Sequence, residues 1–181
     1  MFKKIRQDYS KYKKYGGNFI SIVFFTQGFW AIFQHRIAHS CYTLKIPIIK
    51  YLLLVICLIW QKLIEIITGI SLPYSAKIGS HFYIGHFGGI IINANAVIGN
   101  NCNISQGVTV GISGRGDNRG VPTIGDNVYI GANAVVAGKI IVGDNCVIAG
   151  NSLLVNSIED NVTVAGVPAE IINNNSSKDY I

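Results

Sequence analysis

The chain has 181 residues, a formal net charge of +6 and a sequence isoelectric point near 9.2, a size that suits one domain with an appendage. The charge is unevenly placed. Residues 1–70 hold ten Lys and Arg against two acids, and residues 71–181 hold five against seven, so the basic character belongs to the N-terminal third. Four cysteines without CxxC spacing exclude a disulfide framework and a thiolate metal site, and fit reduced thiols in the cytoplasm.

Residues 1–17, MFKKIRQDYSKYKKYGG, read as a basic, mobile arm; no apolar stretch follows the charges, so a secretory signal is not expected. Residues 18–68 read as two or three helices. The apolar run Tyr51–Trp60, flanked by Lys50 and Lys62, is shorter than the roughly 20 residues that a bilayer span requires. Two accounts of this region stand side by side. Either the helices cover the next unit and are buried in an oligomer, or one apolar face rests peripherally on a membrane surface. His35, Arg36 and His39 lie one helical turn apart, as a polar face against the rest of the chain or as part of an acceptor cleft. No nucleic-acid module surrounds the basic segment, and no such partner is expected.

From Ile78 onward an aliphatic residue recurs every six positions: Ile78 and Ile84, then Ile92, Ile98, Ile104 and Val110, and again from Ile124 through Ile130, Val136, Val142 and Ile148 to Leu154. Gly or another small residue usually follows. This period predicts a parallel β-helix of triangular section, one repeat per face, with the aliphatic side chains stacked inside. Small residues such as Ala96, Cys102, Ala134, Cys146 and Ser152 fill the fourth position after the beat, and Asn and Asp crowd between. Both suit tight corners, where positive φ favours Asn, Asp and Gly.

Two interruptions break the period. Eight residues replace six between Ile84 and Ile92, with Gly88 and Gly89 adjacent and His86 at the start; fourteen replace six between Val110 and Ile124, where GISGRGDNRGVPT carries Arg115, Asp117 and Arg119. The second must loop away from the prism. Loops on a rigid scaffold often carry function, and imidazole is the natural general base near neutral pH. His86 is therefore the candidate catalytic residue, while His81, at an ordinary coil position, reads as structural or surface.

The order of GH bulge, SQGVTVG, extruded loop, PTIG and closing GVPA, over residues 70–172, resembles the hexapeptide-repeat acetyltransferases. The likeness is to the serine acetyltransferase branch and its relatives that O-acetylate bacterial surface polysaccharides; AIFQHRIAHSCY also looks like the helical lead-in of the latter. The resemblance implies a left-handed β-helix, a homotrimer, a dimer of trimers left open, and acetyl-CoA in the groove between neighbouring prisms, with no metal. His86 matches the catalytic histidine. Gly85 and Ser71 stand where serine acetyltransferases carry aspartates, and Val121 where they carry a second histidine.

The expectation is thus an acetyl-CoA-dependent O-acetyltransferase acting on a carbohydrate hydroxyl, in the cytoplasm or at the inner membrane face. Serine O-acetylation and a non-catalytic scaffold are the alternatives, and an amine acceptor stays open. The domains expected are a basic and helical region 1–70, the β-helix 71–172 with loop 111–123, and a polar tail 173–181. Backbone N–H groups near Gly111 are candidates to stabilise the oxyanion, and a backbone carbonyl or water is expected to hold the His86 ring. Gly131, Ala132, Ala149 and Gly150 are expected to admit the pantetheine arm, and Lys139 and Arg115 to meet coenzyme phosphates. Arg115, Asp117 and Arg119 are candidates for the acceptor.

Overall fold

The computed structural model describes residues Met1–Ile181 as a left-handed parallel β-helix preceded by helices. Its three flat faces are parallel sheets of five, four and six strands, the last ending in one antiparallel strand. The strands are mostly two residues long, and the register stacks the six-residue beat: Ile84 on Ile104, Ile104 on Ile130 and Ile130 on Ile148. All twelve beat residues are buried. Their core continues beyond the twelve beat residues, through Ile70 at one end and Val164 at the other.

Corner chemistry explains the residues between beats. Asn101, Asn127, Asn145 and Asn161 all adopt positive φ, and their amides form a ladder, Asn101 to Asn127 at 2.8 Å and Asn127 to Asn145 at 2.9 Å. His81 takes the same left-handed conformation one coil earlier, so it is a corner residue. At the neighbouring position Asp126 Oδ1 accepts Asn100 N–H at 2.6 Å and Asp144 Oδ1 accepts Asp126 N–H at 2.7 Å. A Cβ on Gly79, Gly99, Gly125 or Gly143 would collide with the next coil, which is why glycine follows the aliphatic residue there. Cys102 and Cys146 are buried free thiols; burial pushes the Cys102 pKa up to about 12.

The helical part departs from the sequence reading. Residues 1–17 are not a mobile arm: Phe2–Lys14 form helix α1, followed by α2 (Phe19–Phe25), α3 (Gln27–Tyr42) and α4 (Pro47–Thr68). The apolar run is only part of α4, whose 22 residues are long and apolar enough to cross a membrane by length and composition alone. Pro47 opens α4 and Gly69, at φ 65°, closes it, as proline and glycine commonly do.

Side chains of α1 and α3 close the first coil, whose backbone groups have no earlier coil to pair with. Tyr12 Oη donates to Ile84 O at 2.9 Å and accepts from Ile84 N–H at 3.1 Å. Asp8 Oδ1 accepts Phe82 N–H at 2.9 Å. Arg36 donates to Ile78 O at 2.8 Å and pairs with Asp8 at 2.8 Å, both side chains fully desolvated. Lys11 caps the Asn ladder at Asn101 Oδ1, 2.7 Å, and burial lowers its pKa to about 8. Repeat stacks need such terminal caps, and here the basic arm supplies one.

Candidate active site

His86 lies in the turn after the strand Tyr83–Ile84, where the prism wall buckles. Gly88 and Gly89 both adopt positive φ, which accommodates the two extra residues. The bulge is pinned by Gly88 N–H to Thr68 O and Gly107 N–H to Gly88 O, both 2.9 Å. Behind it, Tyr12 clamps Ile84, and Gly28 lets α3 approach Ile84 O closer than any Cβ would permit. His86 itself is exposed. Of the two partners expected for its ring, a backbone carbonyl or water, the chain supplies no carbonyl: histidine rings hydrogen-bond within the chain at His39 and His81.

The stacked turns after Ile84, Ile104, Ile130 and Ile148 put His86 on one prism edge with Gly131, Ala132, Ala149 and Gly150. Coils stack about 4.8 Å apart, so the His86 turn and the Gly131 turn are roughly 10 Å apart along the axis. An open cavity of about 1010 Å³ runs along this edge, floored by Gly131, Ala132, Ala149 and Gly150. The glycine at 131 has a simpler cause than ligand access, since a Cβ there would lie 2.5 Å from Gly150 N.

The remaining candidates occupy another edge. Gly111 pairs with Ala137, and the 111–123 loop leaves the prism as expected, closed by a Ser113–Gly120 bridge around a helical turn at Gly116–Asn118. Lys139 Nζ donates to Asp117 O at 3.2 Å, and a cavity of about 420 Å³ separates the loop from the coil. Arg115, Asp117 and Arg119 are exposed, and neither arginine joins an ion pair. His86 and the Gly131 and Gly150 turns thus lie on one prism edge and the basic loop on the next, separated by a prism face.

Sequence reading missed the groove's outer wall. The polar tail folds back along the prism: Ser177 N–H donates to Asn145 O at 3.0 Å, Thr163 Oγ1 to Asn175 O at 2.9 Å, and the Tyr180 ring lies 4.9 Å from Tyr129. Asn175, Lys178 and Tyr180 line the cavity. No periodicity marks such a strap, and its one aromatic, Tyr180, was the only hint.

The His35, Arg36 and His39 cluster belongs to the cap, with His39 Nδ1 bonded to Tyr74 O at 2.7 Å. His35 is buried, its Nδ1 has no partner, and burial beside the Arg36 charge lowers its pKa to about 3. Unfolded histidine titrates near pH 6.5. Below that pH the unfolded chain binds a proton that the native chain refuses, so stability falls by up to about 1.4 kcal/mol per pH unit until about pH 3. A His35→Leu variant should lose less stability between about pH 6.5 and 5 than the wild type, as read from urea midpoints at each pH; parallel curves would remove the assignment. No three His, Cys, Asp or Glu side chains converge to hold a metal ion.

A profile for bacterial transferase hexapeptide (six repeats) matches residues 122–156. The serine acetyltransferase of Bacillus subtilis (strain 168) is 32% identical over 161 residues, 89% of this chain and 71% of the relative. That of Staphylococcus xylosus is 36% identical over 145 residues, 80% of this chain and 64% of the relative. Among solved structures, Neisseria gonorrhoeae serine acetyltransferase superposes with a TM-score of 0.80 at 32% identity, over 94% of this chain and 64% of that one. The Brucella abortus strain S19 enzyme in complex with coenzyme A gives 0.84 at 32% identity, over 96% and 68%. The chain spans 61% and 64% of the length of the first relatives it matches.

These relatives overturn the expectation of a surface polysaccharide as acceptor. That expectation rested on Gly85, Ser71 and Val121 together with the lead-in AIFQHRIAHSCY, and the structure gives each of the three residues its own setting. Ser71 Oγ donates to Glu65 Oε1 at 2.7 Å, Gly85 lies against the Tyr83 ring, and Val121 packs on the core. They lie at or beside the ends of three different strands.

Proposed function

The chain belongs to the hexapeptide-repeat serine acetyltransferase family, and on that footing we propose that it transfers an acetyl group from acetyl-CoA to the hydroxyl of serine. The observation that carries this reading is the shared prism edge, on which His86 stands two coils from a groove floored by small residues. The donor's thioester supplies an activated acetyl group. Gly131, Ala132, Ala149 and Gly150 present a low floor on which an extended pantetheine arm fits. His86 accepts the hydroxyl proton as the serine oxygen attacks, and returns it to the departing thiolate.

Assembly completes the site. A closed ring of three copies brings the Gly111 edge of one chain against the His86 edge of the next, joining the half-sites that one chain keeps apart. Lys139 and Arg115 then meet the donor's phosphates, and backbone N–H groups near Gly111 face the developing oxyanion. Arg119 and Asp117 serve the amino-acid acceptor. The reaction belongs in the cytoplasm, where thiols such as Cys102 and Cys146 stay reduced.

The experiment is direct. Purified protein with acetyl-CoA should release free thiol in a serine-dependent manner, followed with a chromogenic thiol reagent. Release at the same rate with and without serine would remove serine as the acceptor.

A further inference from the structure

Helix α4 presents an apolar stripe that nothing in the chain covers. Its inner side packs on α3 through Leu54, Cys57 and Gln61. On the outer side Ile48, Leu52, Val55, Ile59, Leu63 and Ile66 follow one another at three- and four-residue steps, and the two end residues are 84% and 80% exposed. At 1.5 Å per residue the stripe runs nearly the full length of a helix about 33 Å long. Only 22% of its most apolar window is buried, at a mean hydropathy of 1.9. Phe24 and Phe25 of α2 are exposed as well. Between α2, α3 and α4 lies a cavity of about 360 Å³ lined wholly by apolar residues, among them Trp30, Phe33 and Trp60. The Trp30 indole N–H is already given to Val23 O at 2.7 Å.

The surrounding charge names the occupant. Of the two acids in residues 1–70, Asp8 is buried against Arg36 and Glu65 is held by Lys62, Gln61 and Ser71. No acid in this region is left to balance exposed Lys3, Arg6, Lys13, Lys14 and Lys45. Two copies meeting through this face would bring like charges together, which opposes association. Lys45 precedes α4 and Lys62 lies exposed on it, in a helical region with eight more basic than acidic residues, so this apolar face is instead complementary to a bilayer with anionic headgroups.

We infer that the outer face of α2 and α4 docks the protein on a membrane rich in anionic phospholipid, lying in the interfacial zone with the α2–α3–α4 cavity open to an acyl chain. The helix lies along the surface and does not cross it, because its inner side is fixed to α3 by Gln34 Nε2 donating to Cys57 O at 3.1 Å, and α3 is fixed to the prism through Arg36. The basic α1, tied to the prism, is not itself the anchor. This inference is independent of the acceptor proposed above.

Sucrose-loaded vesicles test it with the full chain. The protein should sediment with vesicles containing phosphatidylglycerol and much less with pure phosphatidylcholine. Binding should weaken as salt rises from about 0.1 to about 1 M, where the Debye length falls from about 10 to about 3 Å. A Leu52→Glu/Ile59→Glu variant should lose at least about tenfold in partitioning, since each charge would enter hydrocarbon at a cost of kilocalories. It should keep the wild-type circular dichroism and molar mass. Should that variant fail to fold, Lys45→Glu supplies the second reading, with an expected loss of about fivefold or more from the roughly 1 kcal/mol that one surface lysine contributes. No binding by the wild type, or unchanged binding by a folded variant, would overturn the inference. So would a fall in molar mass in the Leu52→Glu/Ile59→Glu protein with no vesicle binding by the wild type, which would assign the face to a second copy.

Discussion

Replacing His86 by alanine is expected to lower kcat for acetyl transfer about 10²–10⁴-fold while leaving the KM for the donor within a few-fold. The reasoning is local. The other three histidines are committed elsewhere: His81 to a left-handed corner, and His35 and His39 to the helical cap. The groove floor consists of glycine and alanine, and its acid, Asp179, belongs to the tail. No other histidine stands at this turn to take the base's place. Because His86 is exposed and makes no hydrogen bond in the chain, its loss should leave the melting curve in place. Steady-state kinetics with both substrates varied would measure the effect. A variant retaining more than about a tenth of the wild-type kcat would end the assignment of His86 as base, because general-base loss is larger than that.

The second large effect concerns stability. Asp8→Ala is expected to cost about 3–5 kcal/mol, the range for stranding one partner of a buried ion pair. Arg36 Nε and the Phe82 N–H lose their acceptor at once, and Arg36 Nη2 loses one of its two, keeping Gly79 O. The guanidinium would stay in a site where it is 4% exposed. A double change, Asp8→Leu with Arg36→Met, should be milder than Asp8→Ala, because it removes both charges and refills part of the volume. Urea denaturation of the three proteins gives the comparison. A loss below about 1 kcal/mol for Asp8→Ala, the scale of an exposed pair, would show that water enters the site and that the cap is not sealed.

The prism was legible because its information is local and repetitive. Each beat residue enters the same ladder, so twelve positions reinforce one period. The Asn and Asp corners follow from positive φ at each turn, and both period breaks mark real departures from the coil. The His86 bulge and the extruded loop were found by that route. What stayed hidden depends on long-range contacts. Asp8, Lys11 and Tyr12 look like ordinary members of a basic segment, yet each meets a strand some seventy to ninety positions away. The tail has no period, so its return along the prism left no pattern to read. The acceptor was misjudged because Gly85, Ser71 and Val121 were read as changes on the substrate side, whereas relatives about a third identical over most of the chain are serine acetyltransferases.

The closure of the prism at both ends has a consequence for its behaviour in a crowded solution. A stack of identical short rungs is by nature an open polymer, since its last rung offers the same pairing template as every rung before it. Here the helices occupy that template at one end, and at the other, on the six-stranded face, the antiparallel strand Ala169–Asn173 folds over Thr163–Gly166 and reverses the chain direction. The molecule therefore carries its own chain-terminators, and its coils stop at a fixed number instead of templating fibres.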